Sequence, residues 1–512
     1  MQSTIMELKE MDPGCRLLNN ITTLSSNNVT FINAGAFQTS SATTSQQVSL
    51  TNNTLSFTDE MYLIFSFKLQ TNGTGPISFY PGIVQNLLTN FTFQQSGFPA
   101  CTLTSTSNSS IARLYNINKI LDTDVGMNSK TSAMEDTLFI SSLYPTNQGG
   151  PGVQVYSNAN PPVVEDMLSG PSGSPYIVNP GKYFPANTTN NFQIGCQLKY
   201  LIPSVDYSYR INYGLLQFVL SYNCNLQKLI QFPITNPIAN IQEFSLTKVD
   251  LLYTSCIMSQ PIERPLQVVR ATSVYVGTLP GTFAMNLTNG ADTSCIINSN
   301  NLNLTNQKLL YCYAIPYIAS IQQNMTATVT LQKPYAPLFP LGLAPDPAGV
   351  IIPPSDPSGI NIVSKVLPVG SFISNGALQQ YSSNMLGLPI GFKISGAQVS
   401  IGGSIFFPTN STMFYDNNYF ADFLNYYYTV IMHKNRASSG AGNNSIMDYS
   451  MYTYFKFLGF DVSEFSGPFN SQVQLKLTIE NNGLVAGGGG VGSVQFGVDY
   501  ILISETEIIN SI

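Results

Sequence analysis

Three stretches of this chain alternate apolar and polar side chains with a period of two. In MYLIFSFKLQ, Met61, Leu63, Phe65, Phe67 and Leu69 fall on one side, and Tyr62, Ile64, Ser66, Lys68 and Gln70 on the other. In QVQLKLTIE the sets are Val473, Leu475, Leu477, Ile479 against Gln474, Lys476, Thr478, Glu480. In VQFGVDYILIS the apolar set is Val494, Phe496, Val498, Tyr500 and Leu502. Successive side chains of a strand point to opposite faces, so each stretch reads as a strand with one face in a core. Further strands are expected near 27–33, 46–57, 192–202, 216–222, 243–254, 266–276, 308–316, 325–332 and 390–407. Charged residues make up only 9% of the chain, against about 25% in an average soluble protein. The polar surface therefore comes from Asn, Ser, Thr, Gln and Tyr, which favour strands and turns over helices. With 39 Gly and 31 Pro among 512 residues, the expectation is an all-β protein.

Two long stretches break the strand pattern. One covers 145–185 and includes PTNQGGPG and SGPSGSPYIVNPG. The other covers 333–359, with eight prolines from Pro334 to Pro357. Proline lacks the donor that a helix or a central strand requires, so both are loops. Tyr335, Leu338, Phe339, Leu341, Ile351 and Ile352 point to an ordered excursion packed on a neighbour, since a solvated linker would be more polar. Loops of this length in a compact protein are usually functional or disordered.

The order of segments repeats. FQIGCQLKYLIPSVDYSYRINYGLLQFVLSY followed by EFSLTKVDLLYTS closes the first half. MYTYFKFLGFDVSEFSGPFNSQVQLKLTIE followed by VQFGVDYILIS closes the second. Each runs from an apolar strand through a short segment with room for a helical turn into an alternating strand, and then to a final strand. This order divides the chain into an arm at 1–20, a β-sandwich at 21–255, a connector at 256–265 and a second β-sandwich at 266–512.

Several classes of function are disfavoured. Nucleic-acid wrapping needs Lys and Arg to neutralise phosphates, and here 21 basic residues face 27 acidic ones, a net charge of -6. The seven cysteines form no CxxC pair and read as buried free thiols; no zinc-like spacing is present. The opening MQSTIMELKEMDPGC lacks the features of a secretory signal, and no run of 18 apolar residues marks a membrane helix. The frequent N-x-Ser/Thr sequons read as unmodified chance occurrences. The single histidine, His433, lies in DNNYFADFLNYYYTVIMHK, where Phe420, Phe423, Leu424, Tyr427 and Ile431 are spaced as on an amphipathic helix. His433 and Lys434 then fall in the last turn, where positive charge suits the helix dipole. No G-x-S-x-G elbow accompanies the histidine and no acidic pair stands in a suggestive motif. VAGGGGVG at 485–492 lacks the Lys of a phosphate loop and precedes a strand. No catalytic, cofactor-binding or metal-binding residue is assigned, and an enzyme is not expected.

From Phe192 to Ser255 the LKYLIP, LLQFVLSY and FSLTKVDLLYT segments follow one another as in the double jelly-roll major capsid proteins of tailless icosahedral viruses, many of which enclose a membrane. YFADFLNYYY is similar to helices of virophage capsid proteins, although there such a helix belongs to the first roll and here it lies in the second half. The resemblance implies two consecutive eight-stranded antiparallel jelly-roll sandwiches with a few short inserted helices. It implies a homotrimer of pseudo-sixfold outline that tiles a virion shell and contacts penton and minor capsid proteins. It also implies outward loops, here 145–185 and 333–359, and an arm at 1–20 that meets neighbours or an inner membrane. The competing expectations are a viral spike, fibre, penton-type or glycan-binding β-sandwich protein and, more remotely, a glycan hydrolase on a β scaffold.

Overall fold

The computed structural model describes residues 13–38, 44–57, 61–72, 77–79, 83–95, 100–104, 154–156, 164–166, 183–184, 187–202, 211–224, 229–232, 240–257, 268–279, 283–287, 294–322, 325–331, 363–367, 392–407, 456–463, 470–481, 484–486 and 492–509, with single residues or pairs between them. The chain is built from antiparallel strands.

The first unit holds β1 (Arg16–Ser25), β2 (Val29–Asn33), β3 (Thr44–Phe57), β4 (Tyr62–Thr71), β5 (Leu88–Gln95), β6 (Cys101–Thr104), β7 (Thr189–Gln197), β8 (Ile211–Tyr222) and β9 (Ile241–Ile257). One set pairs in the order β1/β2–β9–β4–β7 and the other in the order β3–β8–β5–β6. Near its end β9 also pairs with β3, at Ser255↔Ser56 and Cys256↔Leu55, so the hydrogen bonding continues from one set into the other.

The second unit holds β10 (Val268–Thr278), β11 (Phe283–Leu287), β12 (Ser294–Asn298), β13 (Leu302–Thr305), β14 (Lys308–Gln322), β15 (Phe392–Ile401), β16 (Ser404–Phe407), β17 (Leu458–Asp461), β18 (Asn470–Asn481) and β19 (Gly492–Ile509). Its sheets run β10/β11–β19–β14–β17 and β12/β13–β18–β15–β16. Taking each split strand as one, both units place their strands in the same order: 1-8-3-6 in one sheet and 2-7-4-5 in the other. That order is the eight-stranded jelly roll, and it occurs twice in succession. The units meet where β10 lies against β6.

The cores follow from the alternation. Leu63, Phe65, Phe67 and Leu69 are buried, while Ile64, Ser66, Lys68 and Gln70 are only partly covered. Phe67 stacks on Phe192 of β7 (5.4 Å) and on Phe244 of β9 (5.7 Å). Phe65 reaches across to Tyr222 of the facing sheet in a T-shaped contact of 6.4 Å, the interdigitation that fills a sandwich. In the second roll Phe392 and Phe496 do the same at 5.0 Å. At the edge of that core the buried Lys456 donates from Nζ to the Phe392 carbonyl at 2.7 Å.

The structure corrects several sequence expectations. The strand expected at 192–202 stops at Gln197, and Leu198–Leu201 form a helical turn with Leu198, Tyr200 and Leu201 buried. The strand expected at 390–407 is two strands around Gly402 and Gly403, whose φ of 58° and 84° make a tight hairpin turn. In β19 the face expected to be polar is buried as well: Asp499 and Ile501 are fully covered and Ile503 nearly so. Across the ladder Tyr313 and Tyr317 of β14, both buried, belong to that same face. Central strands covered on both sides lose the simple alternation.

Candidate functional site

The pairings fix which connections share an end of each roll. In the first roll β2 and β4 are both antiparallel to β9, so they run the same way, and β7 and β9 run the other way. The connections that leave β2 and β4 and those that enter β7 and β9 therefore lie at one end. These are 34–43, 72–87, 105–188 and 223–240. The opposite end carries 58–61, 96–100 and 198–210. The second roll divides the same way. One end has 288–293, 323–391, 408–457 and 482–491; the other has 306–307, 402–403 and 462–469. The longest connections, 105–188, 323–391 and 408–457, all join strands at the same kind of end; the stretches singled out in the sequence fall within the first two, with 333–359 and most of 145–185 outside the described residues.

Small sheets tie these connections together. In the first roll Ile77–Phe79 pairs with both Tyr183–Phe184 and Ile230–Phe232, so three different connections share one sheet. In the second, Met325–Leu331 pairs with Val363–Leu367 and with Leu484–Ala486. Within the 105–188 connection, Gln154–Tyr156 and Val164–Asp166 form their own hairpin.

A collar of hydrogen bonds closes the roots of the first roll's loops. The Thr71 amide donates to the Thr188 carbonyl (2.9 Å), and the Thr188 amide donates to Thr71 Oγ1 (2.9 Å). The Asn72 amide donates to the Asn240 carbonyl and the Asn187 amide to the Asn72 carbonyl, both at 3.0 Å. Asn187 sits at φ 53°, a left-handed conformation that Asn tolerates better than most residues. Beside it the Ala34–Gly35 turn, with φ of 51° and 71°, is pinned by the Gly35 amide to the Gln242 carbonyl at 3.3 Å.

His433 and most of its expected helix, 416–434, lie outside the described residues. Thr429 of that stretch is described and buried. Its Oγ1 accepts from the Gly459 amide at 3.0 Å, and its methyl lies on the side of Gly459 that also meets the Tyr313 ring. Thr429 thus touches the outer face of the β14–β17 pair. Among the described residues no group of three His, Cys, Asp or Glu is placed to hold a metal ion. No described helix is long and apolar enough to cross a membrane. All seven cysteines are free thiols. Burial pushes the Cys312 thiol well above its ordinary pKa, which leaves it a packing residue without nucleophilic character.

A chain with two jelly rolls in tandem is the class that this topology defines. Among solved structures the chain is similar to one from the Sputnik virophage, with a TM-score of 0.48 and 8% identity over 97% of this chain and 89% of that one. It is also similar to the mavirus major capsid protein (TM-score 0.41, 9% identity, 96% of this chain and 86% of that one). A third is the Faustovirus major capsid protein (TM-score 0.40, 9% identity, 97% of this chain and 91% of that one). No family model matches the sequence, and neither does any curated protein.

Proposed function

We propose that this chain is the major capsid protein of a tailless icosahedral virus. Three copies associate into a capsomer of pseudo-sixfold outline, and capsomers tile the virion shell. The observation that carries this reading is the tandem of two rolls with one strand order, each with its long connections at one end. A chain that supplies two similar sandwiches lets a threefold assembly present six similar sides, and closed symmetry reuses one set of contacts throughout. The loop-bearing ends face outward. The short-turn ends face inward, and the arm at 1–20 contacts neighbours or an enclosed membrane there. A surface with few charges and 28 tyrosines suits broad polar-aromatic contacts. Penton and minor capsid proteins are the other partners, assembly takes place in the host cytoplasm, and the role is structural, with no catalytic step. An excess of acidic over basic residues argues against direct contact with the genome.

The test is the solution mass of the expressed chain by light scattering, followed by negative-stain imaging. The expected result is a particle of three times 55.7 kDa with a hexagonal outline. A stable monomer that binds glycans on an array would overturn the proposal in favour of a spike-like or glycan-binding protein.

A further inference from the structure

The strand orders give each roll two sides. Strands 1 and 2 of the order flank one side, where β1 lies against β3 and β11 against β12. Strands 5 and 6 flank the other. Inside the chain the strand-5 side of the first roll meets the strand-1 side of the second, since β6 lies against β10. Two sides then have no roll against them among the described residues: that of β1–β3 on the first roll and that of β16–β17 on the second. Eight large apolar side chains are exposed among the described residues, and six of them stand on those two sides. Leu17, Leu18 and Ile21 (68% exposed) are on β1, and Ile257 is opposite Arg16 on β9. Phe37 pairs with Ile32 on the outer edge of β2. Ile405 (47% exposed) is on β16. Leu17, Leu18 and Ile257 stand at the short-turn end of the first roll. Ile405, just past the Gly402–Gly403 turn, stands at the short-turn end of the second. Exposed apolar groups gathered in this way mark contact surfaces.

We propose that these two sides bind each other between copies of this chain: β1 and the end of β9 of one copy dock on β16 of the next. The argument for a second copy as the occupant is continuity with the joint inside the chain. β16 holds in the second roll the place that β6 holds in the first, and β1 holds in the first roll the place that β10 holds in the second. The contact between copies therefore repeats the contact between rolls. Arg16 is the sole charge on β1 and β16 has none, so no like-charge repulsion opposes the joint. The two sides differ, so the contact is head-to-tail, and such a contact either closes into a ring or runs on as a filament. With two rolls in each copy, three copies close the ring at six. The inference rests on the threefold reading above and adds which surfaces form its joints. The two exposed apolar residues left over stand elsewhere: Leu215 on the central strand β8, and Ile296 on β12, on the side of the second roll already turned to the first.

The experiment measures the solution mass, over a range of concentrations, of the unaltered full chain and of Leu18→Asp, Ile405→Asp and, as a control, Ile296→Asp. All three positions are exposed, so the fold should survive, which the urea midpoint checks. The unaltered chain and Ile296→Asp are expected to form trimers. Leu18→Asp and Ile405→Asp are each expected to raise the concentration needed for the trimer by roughly tenfold or more, because every joint would bury an unpaired carboxylate. A second measurement does not depend on the Asp variants. In the full chain carrying both Leu18→Cys and Ile405→Cys, a short bis-maleimide is expected to join the two positions across different chains, found by peptide mass mapping and as a trimer on a denaturing gel. Trimers that ignore both Asp variants and give no such cross-link would overturn the joint and leave the threefold reading standing. Sensitivity at Leu18 alone, with cross-links only between the 18 positions of two copies, would mean that one side binds itself, and would overturn the joint as well. An unaltered chain that stays monomeric would overturn the joint and the threefold reading together.

Discussion

Gly497→Ala tests the packing of the second roll's central ladder. Gly497 stands directly opposite Tyr317 across β14 and β19. A Cβ at Gly497 would lie 2.3 Å from Cζ of Tyr317, 2.4 Å from its hydroxyl oxygen and 2.8 Å from Cε2. Comfortable carbon contacts are about 3.5–4.0 Å, so the ring must retreat by more than about an ångström. Tyr317 is buried and its neighbours are close-packed. Overpacking of this kind costs about 1–3 kcal/mol, rising towards the roughly 3–5 kcal/mol of a lost aromatic side chain if the ring is expelled. The measurement is the urea midpoint of the single variants Gly497→Ala and Tyr317→Ala and of the double variant. Once the ring is gone, adding the methyl group should cost less than about 0.5 kcal/mol, so the pair is strongly non-additive. Gly402→Ala serves as the contrast: no atom lies within 4 Å of its new Cβ, and only the positive φ opposes it, at about 1–2 kcal/mol. Equal costs for Gly497→Ala with and without the Tyr317 ring would refute the steric reasoning.

Two further outcomes follow from named contacts. Thr429→Val keeps the methyl group against Gly459 but removes the oxygen that its amide uses, which should cost about 1–3 kcal/mol and speed exchange of the Gly459 amide. Unchanged exchange there would mean that the 416–434 stretch does not rest on β17. Cys312, fully buried with its thiol held neutral by desolvation, should resist maleimide in the native state and react at the rate of unfolding. Rapid native labelling, read by mass spectrometry, would contradict its place in the core.

Strands with one dry face were legible in the sequence: β18 from Gln472 and β4 from Leu63 onward alternate as their burial does, although Tyr62 at the start of β4 is buried against the expectation. The closing order of each half also carried through, as β7–β8–β9 and β17–β18–β19. What the sequence hid has physical causes. β1 is exposed on both faces at its start, so RLLNNITTLS has no alternation to read. β6, β12, β13 and β17 are four or five residues long, too short for a period to stand out. The turn at Gly402–Gly403 is plain as chemistry, yet apolar residues on both sides read as one continuous strand. Breaks in the strand pattern at 145–185 and 333–359 were expected from proline and glycine, and they fall in the connections 105–188 and 323–391. That those connections share the same kind of end was not legible, because strand direction within a sheet is a property of pairing, and no local pattern encodes it.

The collar around Asn72, Thr188 and Asn240 separates two timescales of change. Above it, a connection can lengthen, shorten or change its chemistry, since its two ends are already fastened to their neighbours and little ordering entropy is passed down to the sandwich. Below it, the ladder that sets the shape of the sandwich is untouched by what happens in the loops. The connections can therefore diversify in sequence while the geometry of the sandwich stays fixed.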